Sequence, residues 1–138
     1  MDMTAHSVYL AFYVYLILLL LQWAFATFSK GKQPNAVPGK IDSDLSHSSF
    51  VFRAHRTFQN SLENAPLFIG TVFLALIMNF HSPIFAIATW IYLIARIIHM
   101  VLYYAVATEK NPSPRTYFFL LGLVANSVML FLLGFRLI

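Results

Sequence analysis

Four long apolar segments dominate the sequence, and each is long enough to cross a lipid bilayer as a helix. They cover about residues 7–28, 50–80, 83–107 and 114–137. A spanning helix needs about 20 mostly apolar residues, because a rise of about 1.5 Å per residue must cross about 30 Å of hydrocarbon. The sequence therefore predicts an all-α membrane protein in which residues 1–138 form one domain, a bundle of four transmembrane helices with antiparallel neighbours.

Composition excludes several other classes of protein. Charged residues make up 10% of the chain and apolar residues 59%, whereas soluble domains carry about 25% charged residues. This excludes a disordered chain and argues against a soluble enzyme. Because the sequence has no Cys, disulfides, thiolate metal sites and CxxC redox centres are excluded. No metal site is expected, because the histidines lack carboxylate companions at ligand spacing. No nucleic-acid partner is expected, because the basic residues are scattered and partly embedded in apolar segments.

The first segment is predicted to be a retained span. Residues 24–26 (Ala-Phe-Ala) resemble a signal-peptidase site. However, the start of the chain carries Asp2 and no Lys or Arg, and the apolar run exceeds the 7–15 residues of a typical signal-peptide core.

Basic residues predict the orientation of the bundle. Seven of them lie on or near the first and third connections: Lys30, Lys32, Lys40, Arg53, Arg56, Lys110 and Arg115. Near the opposite boundary there is only Arg136. The positive-inside rule places the first and third connections in the cytoplasm and both termini on the other side.

Two of the apolar segments carry polar side chains at helical spacing. These are Arg53, Arg56, Asn60 and Glu63 in the second segment, and Arg96, His99 and Tyr103 in the third. At about 3.6 residues per turn, each set shares one face of its helix. Arg115 opens the fourth segment just after Ser113, a candidate N-cap, and Pro114 at the first helical position.

The two stripes predict a polar pocket that opens toward the cytoplasm. Glu63 and Arg96 are expected at similar depth in the bilayer, where a charged side chain costs about 2.5–3.5 kcal/mol unless it faces protein or water. They are therefore expected to find partners, and they could pair with each other. A ligand suited to such a pocket is small, anionic and zwitterionic, with an amine for the Glu63 carboxylate and carboxylates for the arginines.

Each of these residues also has a purely structural interpretation. The alternatives are snorkelling to lipid headgroups for Arg53 and Arg56, a structural ion pair for Glu63 and Arg96, packing for His99, and an aromatic belt for Tyr103. Asn126 and Ser127 are most simply contacts between helices, since Gly122 and Ala125 permit close approach. His6, His47 and His81 lie at segment ends and support no prediction.

The pattern resembles that of the MAPEG family, the membrane-associated proteins in eicosanoid and glutathione metabolism, which include microsomal glutathione transferases and prostaglandin E synthase. The resemblance rests on R-x2-R-x3-N-x2-E at residues 53–63, on the Pro-x-Phe at 66–68, and on R-x2-H-x3-Y at 96–103. It extends over the whole chain, including the four spans and the longer first connection. The sequence is therefore identified as MAPEG-like.

The resemblance implies a homotrimer that binds glutathione, its co-substrate, between neighbouring subunits near the cytoplasmic face. The residues implied to hold glutathione are Arg53, Arg56, Asn60, Glu63, Arg96, His99 and Tyr103. Arg115 is implied to be catalytic, by lowering the thiol pKa for attack on a hydrophobic electrophile or a lipid hydroperoxide arriving from the bilayer. The implied activity is that of an integral-membrane glutathione transferase, with peroxidase activity as a second possibility.

Two positions depart from relatives that isomerise prostaglandin endoperoxide. Phe119 stands where those proteins carry a Tyr one turn after the fourth-helix Arg, and Gln59 stands where some carry Arg. Both departures weaken the case for eicosanoid synthesis. Two other functions compete with the transferase: a small four-helix transporter, although residues 7–28 lack the carboxylate that such proteins use, and a non-catalytic membrane scaffold.

Overall fold

The computed structural model describes residues 3–138 and consists of four long helices. They are α1 (Met3–Gly31), α2 (Phe50–Ile77), α3 (Pro83–Ala105) and α4 (Pro114–Leu137). All four are long and apolar enough to cross a membrane. The described part of the chain contains no strand. The predicted all-α four-helix membrane bundle is thereby confirmed.

Neighbouring helices run antiparallel, so the bundle has two distinct ends. The loop of residues 32–49 and the linker of residues 106–113 lie at one end, called the loop end. The turn of residues 78–82 and the described chain termini lie at the other, called the turn end. Helix α1 packs on α2 and α3, whereas α4 packs mainly on α3 and less on α2. Polar residues of α2, α3 and α4 can therefore meet near α3.

Helix α2 ends at Ile77, earlier than residue 80, because Asn79 reverses the chain. Asn79 adopts a left-handed conformation (φ 49°). The Phe80 N–H donates to the Ala75 carbonyl (2.9 Å) and the Asn79 N–H to the Leu76 carbonyl (3.1 Å). These two bonds form a Schellman motif, which satisfies carbonyls that the end of a helix leaves without partners.

The predicted start of α4 is confirmed. Pro114 is its first residue, and the Ser113 N–H donates to the Thr116 hydroxyl (3.1 Å) while the Thr116 N–H donates to the Ser113 carbonyl (2.9 Å). Helix α3 ends at Ala105, two residues before the predicted limit, because Val106 takes an extended conformation. The linker from α3 to α4 therefore begins two residues earlier than predicted, and Arg115 follows it in the first turn of α4 at the loop end.

The centre of the bundle is an aromatic cluster that lies below the polar residues. The rings of Phe68 on α2 and Tyr92 on α3 stack with centroids 3.9 Å apart, and the Tyr15 ring on α1 meets Phe68 edge-on at 4.7 Å. Helix α4 lies against this cluster at Gly122, where a β-carbon would be 3.7 Å from atoms of both Arg96 and Tyr92, an ordinary van der Waals distance. This packing fixes the position of the Arg96 side chain.

Candidate functional site

Arg96 is the innermost member of the polar set. Its side chain is 1% exposed, and its Nη2 donates to Oδ1 of Asn60 (2.7 Å) and to Oγ of Ser61 (3.0 Å), both on α2. Its Nε has no hydrogen-bond partner in the described part of the chain. A buried guanidinium held by two neutral oxygens retains both its charge and an unused donor.

The suggested pairing of Arg96 with Glu63 is wrong. Arg96 binds neutral groups, and Glu63 is exposed on the outer surface of α2. Arg56 is exposed as well, and its Nη1 donates to Oε1 of Gln59 (2.8 Å). Within residues 3–138 the recorded ion pair is instead that of His47 with Glu109. The α2 stripe is thus divided between the interior of the bundle and its outer surface.

Arg53 joins three parts of the loop end. Its Nη1 donates to the carbonyls of His47 (2.7 Å) and Ser48 (2.9 Å), which precede α2. Its Nε and Nη2 donate to the Tyr104 carbonyl in the last turn of α3 (3.3 and 3.2 Å). The last carbonyls of a helix lack partners within it, so the Arg53 guanidinium caps α3 and fixes the end of the loop.

Arg115 and Tyr103 are in direct contact. The Arg115 Cζ lies 4.0 Å from the centroid of the Tyr103 ring, a cation–π contact between α4 and α3. The His99 ring packs against the same tyrosine, with centroids 5.7 Å apart. His99 is buried, and its Nδ1 has no partner among the described residues. Three of the predicted site residues therefore form one group at the loop end.

His47, which supported no prediction from its position at a segment end, completes this group. Its Nε2 is 3.0 Å from the Tyr103 hydroxyl, and its ring stacks on the Tyr103 ring with centroids 5.8 Å apart. Its Nδ1 is 2.7 Å from Oε2 of Glu109, and its main-chain N–H donates to Oε1 of the same carboxylate (3.1 Å). No local pattern marks His47, because its partners are 56 and 62 residues away.

The bridge between His47 and Glu109 is expected to open in acid. The hydrogen bond from the His47 main-chain N–H, with smaller contributions from the His47 ring and Arg115, lowers the pKa of Glu109 below its ordinary value of 4.5. A carboxyl whose pKa is lower when the bridge is formed stabilises that bridge above the ordinary pKa, and the stabilisation is lost as the pH falls through the lowered value. The amides of residues 32–49 should therefore be well protected from hydrogen exchange at neutral pH, relative to their intrinsic rates at the same pH, and should lose this protection as the pH falls through the lowered pKa of Glu109. Glu109→Gln should show low protection throughout. A protection that stays constant with pH in the wild type would contradict this.

The predicted polar pocket does not coincide with the cavity found at the loop end. That cavity, of about 470 Å³, lies between the end of α1 and the loop, with Lys30, Lys40 and Val51 in its lining. None of the predicted site residues lines it. Arg56 and Glu63 are instead exposed on the outer surface of α2.

Fold and site together define a multi-pass membrane protein with a group of interacting polar residues at one end of a four-helix bundle. The model of the MAPEG family matches residues 7–135, nearly the whole chain. The chain therefore belongs to the MAPEG family. No curated protein and no solved structure matches it. Because the family includes transferases, isomerases and non-catalytic members, membership leaves the activity open.

Proposed function

We propose that the protein is an integral-membrane glutathione transferase, with peroxidase activity on lipid hydroperoxides as a possible second reaction. The observation that carries the proposal is the position of Arg115. Its guanidinium lies in the first turn of α4 and against the Tyr103 ring. A free thiol has a pKa of about 8.5 and is mostly protonated at neutral pH. A fixed positive charge, supplemented by the positive end of the helix dipole, favours the thiolate that attacks an electrophile.

The remaining predicted residues offer the groups that a zwitterionic tripeptide needs. Arg56 and Glu63 are exposed on α2. The Arg56 guanidinium can therefore bind a carboxylate of glutathione, and the Glu63 carboxylate can bind its amine. Asn60 is partly buried and links this surface to Arg96. Arg53 has its donors engaged by carbonyls, so its contribution is to hold the loop end together. No metal is required for this chemistry.

A homotrimer with glutathione between subunits accounts for the exposed charges of α2. Glu63 lies about 20 Å along α2 from its start, at a rise of about 1.5 Å per residue. A charge that faces acyl chains at this depth costs about 2.5–3.5 kcal/mol. A neighbouring subunit that covers Arg56 and Glu63 removes this cost and encloses the ligand. The electrophile or hydroperoxide enters from the surrounding lipid.

The proposed orientation follows from the distribution of basic residues. The loop end, with Lys30, Lys32 and Arg115, faces the cytoplasm, and both termini lie on the opposite side. The site therefore opens to the compartment that contains glutathione and lies beside the membrane that delivers the second substrate.

A titration with glutathione tests the proposal directly. In detergent, the wild-type protein should unfold at a higher temperature as glutathione is added, because a ligand at a hundredfold excess over Kd stabilises the folded state by about 2.7 kcal/mol. The same preparation should conjugate a chloro-nitroaromatic compound. Glu63→Gln should need at least tenfold more glutathione for the same shift, because it loses the charge that pairs with the amine.

Asp44→Asn serves as the matched control, since it removes a carboxylate from the exposed loop. It should titrate like the wild type. If the wild type shows no shift and no conjugation, the transferase proposal is wrong and the non-catalytic scaffold replaces it.

A further inference from the structure

His47 and Glu109 form a hydrogen-bonded pair that the proposed reaction has not used. Glu109 accepts from the His47 main chain and meets the His47 ring, so both of its oxygens bind one residue. The carboxylate is 68% exposed, whereas the His47 side chain is 19% exposed. The pair thus extends from solvent to the interior of the loop end, where it reaches the Tyr103 hydroxyl.

The carboxylate determines the role of each ring nitrogen of His47. An ionised carboxylate only accepts hydrogen bonds, so the Nδ1 facing Glu109 at 2.7 Å carries the hydrogen in the neutral ring. Nε2 then has a free lone pair and accepts from the Tyr103 hydroxyl at 3.0 Å. The Tyr103 hydrogen points toward His47, and the lone pairs of the Tyr103 oxygen remain free to accept another proton.

We infer that the His47–Glu109 pair is the acceptor of the thiol proton, which reaches it through the Tyr103 hydroxyl. The inference rests on the proposed function, because it needs a thiol bound at Arg115. The S–H bond breaks and its proton passes to the Tyr103 oxygen, while the hydroxyl proton of Tyr103 passes to Nε2 of His47. The products are a thiolate beside the Arg115 guanidinium and an imidazolium beside the Glu109 carboxylate, so charge and protons balance.

The charged groups around His47 suit this transfer. Arg115 on α4 lies over the Tyr103 ring and favours the thiolate. Arg53 on α2 binds the His47 carbonyl and holds the backbone in place. His99 on α3 packs edge-on against Tyr103, and Glu109 in the linker stabilises the imidazolium. Because Glu109 is exposed, the proton has a short route to water.

The rate of thiolate formation tests the inference. This rate is followed after mixing with glutathione by the ultraviolet absorbance of the thiolate at neutral pH. Loss of general-base assistance costs about 100-fold or more, so His47→Gln and Tyr103→Phe should both be slower by about 100-fold at neutral pH. The glutathione Kd of His47→Gln should stay within about twofold of the wild-type value.

Chemical rescue separates a proton acceptor from a residue that only holds the loop. Imidazole added to His47→Ala should restore much of the rate, since the site reaches solvent, and should have no effect on Tyr103→Phe. His6→Gln, at the turn end, is the matched control and should behave like the wild type. Similar rates of thiolate formation for wild type and His47→Gln would contradict the relay alone. The absence of glutathione binding to the wild type would instead contradict the proposed function, and the relay with it.

Discussion

Replacing Arg115 by alanine should lower glutathione conjugation by about 100- to 1,000-fold, the usual cost of removing one donor that stabilises a developing anion. The guanidinium carbon lies 4.0 Å from the centroid of the Tyr103 ring. Without it, a thiol bound there stays protonated at neutral pH. The thiolate absorbance of bound glutathione should disappear, while S-methylglutathione, which has no thiol to ionise, should bind about as tightly as to the wild type.

Two further variants define the role of Arg115. Arg115→Lys retains the charge and should recover part of the activity, although an ammonium does not reproduce the planar contact with the tyrosine ring. Arg136→Ala removes an arginine at the turn end, in the last turn of α4, and should leave turnover unchanged. Normal turnover in Arg115→Ala would show that Arg115 is not catalytic, and this result would not bear on the fold.

Replacing Arg96 by alanine should lower the free energy of unfolding by about 3 kcal/mol, within the 2–5 kcal/mol typical of truncating a large buried side chain. Arg96 is almost completely buried and donates to Asn60 and Ser61. Its removal leaves a cavity under Gly122 and leaves two oxygens of α2 without their donor. The loss is smaller than the contacts alone suggest, since burying a guanidinium is itself costly. Thermal unfolding in detergent measures the change.

Arg96→Met separates volume from hydrogen bonding. The methionine side chain fills most of the space, so this variant should recover about half of the lost free energy of unfolding. The remaining loss is the cost of the two oxygens on α2 that lack a donor. Arg56→Ala is the control, because Arg56 is exposed and its guanidinium donates to Gln59 on the surface of the same helix. It should change the stability of the detergent-solubilised subunit by less than about 0.5 kcal/mol. Equal stability of Arg96→Ala and wild type would show that the interior does not depend on this guanidinium.

The helices could be predicted because the hydropathy and length of a segment are properties of that segment alone and do not depend on tertiary contacts. Four apolar runs require four spanning helices in any arrangement, and Ser113 followed by Pro114 is a start signal that works without tertiary contacts. The end of α2 was less predictable. Phe80 is apolar and continues the hydropathy pattern, whereas the chain reversal depends on the left-handed Asn79.

The division of the α2 stripe could not be predicted from spacing alone. At about 100° per residue, residues 53, 56, 60 and 63 spread over about 80° of the helix surface. The buried side of α2 passes through Thr57, Ser61 and Phe68, so the stripe lies at the edge of that side. Asn60 turns inward to Arg96, and Glu63 turns outward. Helical spacing predicts that these four side chains lie on the same side of α2. Whether that side faces the interior of the bundle or its outer surface depends on how the helices pack.

His47 and Glu109 show a second limit of sequence reasoning. Both lie in connections without periodicity, and their contact depends on where the loop and the linker meet. The short linker after Ala105 brings Glu109 back over the end of α3, and Arg53 brings His47 to the same place. When two polar residues lie in different loops, no pattern in the sequence predicts that they will contact each other.

The contacts of Arg53 have a consequence for the order of assembly during synthesis. Its carbonyl partners at His47 and Ser48 emerge from the ribosome before it, but the Tyr104 carbonyl emerges 51 residues later. The first two spans therefore enter the bilayer with part of this guanidinium's hydrogen bonding unmet, and the loop end closes only once α3 is inserted. Translation stalled after the second span should leave a nascent chain whose loop is open to proteases.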